Sequence, residues 1–111
     1  MTFTQDEMIL ALLSLVRATD PAMLRREADG FTVDFEAIGR KAKPSPDELL
    51  LLKMRAVLDS TTEETTRVLE LDAGEGSRLA AAIAKLEALQ TWPPDVLELS
   101  RALRARLATA V

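Results

Sequence analysis

The chain has 111 residues, 48% of them apolar and only 4% aromatic, with a net charge of −4 and neither Cys nor His. Those two absences remove disulfides, thiolate nucleophiles and the usual zinc ligand sets, and they leave no side chain whose ordinary pKa lies near neutrality. A core must therefore come from aliphatic side chains, chiefly the nineteen Leu, and that composition favours helices over a sheet sandwich.

In chain order, Thr4 with Glu7 three residues later forms a capping box, and it predicts a first helix from about Gln5 to Arg17. Met8 to Val16 make this helix apolar nearly all round, so it is expected either at the centre of its own domain or under a partner chain. The run is shorter than the ~20 apolar residues of a membrane span and follows acids rather than bases, which predicts no membrane segment, no secretory signal and a cytoplasmic location. Asp20 and Pro21 open a short helix, PAMLRREAD, with Gly30 expected at its C-terminal cap. Alternation in FTVDFE predicts an extended segment over 31–34, with no evident strand to pair with except 66–71. Asp34 is then expected to cap a short helix to about Lys41. KPSP at 43–46 reads as a linker, because a residue before Pro is pushed out of the helical region.

Ser45, Pro46 and Glu48 restart a helix carrying LLLL at 49–52, and four consecutive Leu cover every direction of one turn. Two further helices are predicted over 61–71 and 73–90. TWPPD at 91–95 breaks the chain before a last helix with Val96, Leu99, Leu103 and Leu107 on one face. The expectation is one all-α domain over 1–111, a compact orthogonal or bundle-like arrangement of five or six short helices with the extended segment near 31–34.

The stretch TEETTRVLELDAGEGSRL resembles the helix-turn-helix of bacterial transcription factors and of sigma-factor region four: acids open its first helix, a Leu pair precedes the turn, and Ser-Arg-Leu enters the second. The resemblance implies DNA contacts from Arg78 and Lys85. It departs at Thr66 and Glu70, where such motifs carry a small residue and a Gly. Charge opposes it too, since six acids face two bases between Asp59 and Arg78, and phosphate neutralisation supplies most non-specific DNA affinity. In DAGEG, Asp72 and Glu75 fit a capping box, and two carboxylates fall far short of the roughly six oxygens of a calcium loop. GRKAK at 39–43 reads as solvated linker charge.

No catalytic constellation, metal site or cofactor is expected. The excess of apolar helix surface predicts self-association, as a dimer, through Leu12, Leu15, Leu50, Leu51 and Met54. The resulting reading is a small cytoplasmic, non-catalytic regulator or adaptor that binds its own copy and another protein, with a DNA-binding regulator using 61–90 as the alternative.

Overall fold

A computed structural model describes residues 1–28, 30–59, 66–89 and 91–109. Most of them are helical, and the elements run β1 (Thr2–Thr4), α1 (Gln5–Thr19), a single 3-10 turn (Pro21–Met23), β2 (Leu24–Glu27), β3 (Gly30–Val33), α2 (Glu36–Gly39), α3 (Pro46–Asp59), β4 (Thr66–Val68), α4 (Ala73–Leu89) and α5 (Pro94–Thr109).

The capping signals act where the sequence puts them. Thr4 accepts from the Glu7 N–H at 3.2 Å while Glu7 accepts from the Thr4 N–H at 2.8 Å, which fixes the start of α1. Ser45 and Glu48 do the same for α3, at 3.2 and 2.9 Å, and Asp72 and Glu75 for α4, at 2.7 and 3.1 Å. Glu75 also accepts from Lys53 Nζ at 3.0 Å, which ties α4 to α3.

α1 is the central helix, packed against α4, α3 and α5. Met8, Leu10, Ala11, Leu12, Leu15 and Val16 are all buried, and they join Leu50, Leu51 and Met54 of α3, Leu79 and Ile83 of α4, and Leu103 and Leu107 of α5 in one cluster. Of the four Leu opening α3, Leu50 and Leu51 point inward while Leu49 is 54% exposed.

The chain is not strictly all-α, because two small antiparallel sheets form. β2 pairs with β3 in register Leu24↔Val33 to Glu27↔Gly30, so the segment expected as a helix over 21–29 stops after one 3-10 turn and becomes a strand. Gly30 is not a helix cap: its φ of +146°, a backbone that side chains with a Cβ rarely adopt, opens β3 on the far side of the hairpin turn. The extended segment near 31–34 thus finds its partner immediately upstream, not at 66–71. Asp34 caps no helix, and its carboxylate instead meets Arg25 at 3.3 Å and Arg40 at 3.8 Å. Arg55 of α3 lies over the Phe35 ring at 5.3 Å, holding the hairpin's exit against that helix.

The second correction concerns 66–71. Thr66–Val68 is β4, paired with β1 in register Thr2↔Val68 to Thr4↔Thr66, and Glu70 to Asp72 follow in irregular structure. The ladder continues through Leu69 N–H to Met1 O at 2.9 Å, and Phe3, wholly buried, anchors it. A helix over 66–71 is therefore absent; 61–65, the rest of that expectation, lies outside the described residues.

Candidate functional site

All five residues expected at a dimer interface lie inside the single chain: Leu12, Leu15, Leu50, Leu51 and Met54 are at most 7% exposed. The structure makes core of the apolar excess on α1 and α3. The apolar surface that remains lies elsewhere.

Part of it lines an open groove of about 580 Å³ between α1 and the start of α5, while Leu49, Val68 and Leu89 are exposed outside it. One wall is a stripe along α1, Asp6, Ile9, Leu10 and Leu13, whose spacing of three and four residues places them on one side of the helix. The other wall is the first turn and a half of α5, Asp95, Val96 and Leu99, and the linker Thr91-Trp92-Pro93 closes one end. The linker cannot continue α4, since Pro93 and Pro94 lack the N–H groups a helix interior needs, and Pro94 fits the first position of α5. α5 therefore starts afresh, with a short Asp and a Val opposite α1. Trp92 and Leu99 are half-buried against the core, whereas Leu103 and Leu107 further along α5 are fully enclosed. α5 closes on the core through its later turns and stands off from α1 at its beginning.

The groove is apolar except at its rim, where Asp6 and Asp95 are both exposed. Among the described residues neither makes an ion pair. The next residue along α1, Glu7, contrasts with them: its side chain is buried, bonded to Arg106 of α5, and Arg106 also donates to Thr2 O. Burial raises the Glu7 pKa, but the Thr4 N–H and the Arg106 guanidinium outweigh it and hold the carboxyl below its ordinary value. Arg106 thus staples α5 to the beginning of α1, close to the groove in sequence.

The two residues expected to contact DNA do come together. Arg78 and Lys85, two turns apart on α4, line a shallow cleft of about 300 Å³ with Leu15, Ala18, Ala81, Ala82 and Asp47. Arg78 is engaged there with Asp47 at 3.3 Å. In GRKAK, Arg40 meets Asp34, tying the end of α2 back to the segment that enters it, and Lys41 meets Glu48 at 2.6 Å across the α2–α3 connection. Among the described residues, no three Asp or Glu side chains gather so that they could hold a metal ion, and no helix is long and apolar enough to cross a membrane.

Sequence reasoning placed Val96 and Leu99 on one face of the last helix but did not join them to Ile9 and Leu13. The available signal was the lone Trp beside a double Pro, a bulky ring at a forced break between helices. No family model matches this chain, and no curated protein or solved structure is significantly similar to it.

Proposed function

We propose that this chain is a small cytoplasmic interaction module, a regulator or adaptor with no catalysis of its own, that docks a segment of another protein in the groove between α1 and α5. The observation that carries this reading is the groove itself: after the core has closed, Ile9, Leu13, Trp92, Val96 and Leu99 still line an open apolar trough. Its volume falls in the range of sites that take a few anchoring side chains or a small ligand. Among the described residues, the apolar surface left for a dimer is this trough and the scattered exposed residues Leu49, Val68 and Leu89, because the side chains that argued for self-association are enclosed.

The reading is favoured over DNA binding by two features. Arg78 is held by Asp47, and residues 66–71, expected in the first helix of a DNA-reading pair, are a strand and irregular structure. The test is a photo-reactive residue placed in living cells at position 13, with position 85 as the comparison. Protein adducts formed from position 13 and lost on Ile9→Asp are the expected result. Adducts from 85 alone, or retardation of DNA by the purified chain at about 0.1 M salt that Arg78→Ala abolishes, would overturn it.

A further inference from the structure

We propose that the groove selects a basic amphipathic helix, one whose apolar side chains recur at three- and four-residue spacing and whose Lys or Arg meets Asp6 and Asp95. This rests on the docking reading above and adds the chemistry of the partner.

Shape is the first argument. The groove is a valley between two helical ridges, Asp6, Ile9 and Leu13 on α1 and Asp95, Val96 and Leu99 on α5. A valley of that kind is filled by side chains projecting from a third helix. An extended strand would leave its backbone N–H and C=O groups against aliphatic walls without partners, whereas a helix satisfies its own.

Charge is the second. The charged side chains on the lining are Asp6 and Asp95, each in the first turn of its helix. Both are exposed and, among the described residues, without an ion-pair partner. An acidic helix would set like charges face to face at both rims, and a neutral one would gain nothing from them. The chain's net charge of −4 adds a long-range attraction for cationic segments. Rim charges of this kind discriminate between partners more than they tighten binding.

Trp92 is the single Trp of the chain and lines the groove, so its emission reports occupancy directly. The probe is a synthetic helical peptide of about fourteen residues, with Leu on one face and Lys on either side of it, compared with a twin in which Glu replaces Lys. The Lys peptide is expected to shift Trp92 emission saturably, and the Glu twin to bind at least about tenfold more weakly. Raising salt from about 0.05 to 0.5 M should shrink that ratio, as should Asp6→Asn combined with Asp95→Asn in a chain whose circular dichroism is unchanged. Equal affinity for the two peptides would overturn the basic partner and leave the docking groove standing. A Trp92 shift on concentrating the protein alone would overturn it in favour of a second copy. No response to either peptide would overturn both readings.

Discussion

The seam between α1 and α4 and the groove between α1 and α5 are lined by the same kinds of aliphatic side chain, yet the first encloses its large ones, leaving only the shallow cleft beside Arg78 and Lys85, and the second leaves them open. Toward α4, α1 meets a helix rich in Ala at 80, 81, 82 and 84, and small residues let two helices approach closely enough for Leu15, Leu79 and Ile83 to be enclosed. Toward α5, it meets a helix that begins only at Pro94, after Trp92-Pro93, and presents Asp95 and Val96 in its first turn. Hydrophobicity alone does not decide which side of an apolar helix is buried. What the neighbour brings, and where the neighbour starts, decides it.

The largest expected effect is on the closed side. Leu51→Glu places a charge at a wholly buried position, and it should cost more than about 4 kcal/mol and abolish the helical circular dichroism signal at 25 °C. Next comes Leu15→Ala, which should lower the urea unfolding free energy by about 2–5 kcal/mol, while Leu49→Ala, at a position 54% exposed, should change it by less than about 0.5 kcal/mol. A similar loss for both would mean that Leu49 is covered in solution. Thr4→Ala removes one half of the first capping box and should cost about 1 kcal/mol in the same measurement.

The pH dependence has a fixed sign. Glu7, with burial opposed by the Thr4 N–H and Arg106, and Glu48, bonded to Lys41 and the Ser45 N–H, both titrate below the ordinary value of 4.5 when folded. The unfolded chain therefore takes up protons first. The stability these groups contribute is complete above about pH 5 and is lost as pH falls through the folded values. Unfolding midpoints should decline below about pH 5, less steeply in Arg106→Ala, and stay nearly flat from about pH 6 to 8 in a chain without His or Cys. The smallest effect belongs to Arg78→Ala, whose half-exposed pair with Asp47 should be worth no more than about 1 kcal/mol.

Legibility followed the range of the forces. The capping boxes at Thr4, Ser45 and Asp72 act within one turn, and α1, α3, α4 and α5 start where those signals and Pro94 place them. The hairpin was hidden because LRRE reads as helix and Gly30 as a cap, and only pairing with the strand that follows turns both into sheet. β1 is hidden more deeply: three residues, Thr-Phe-Thr, pair with Thr66–Val68 across more than half of the chain's length, and no local pattern specifies such a contact. For the site, an all-round apolar α1 announces excess surface without saying which side stays open: Leu12 and Leu15 are enclosed, while Ile9 and Leu13 line the groove. The sequence of one helix does not contain the position of its neighbours.

The central claim is that the α1–α5 groove is left open for a partner and is not an imperfectly closed part of the core. Ile9→Ser tests it most directly, because Ile9 is 39% exposed on the groove wall, and one protein preparation yields both the urea unfolding free energy and the affinity for the Lys peptide read by Trp92. The expected result is a stability loss below about 1 kcal/mol together with at least about a tenfold loss of peptide affinity. A stability loss as large as that of Leu15→Ala, with peptide affinity unchanged, would contradict it.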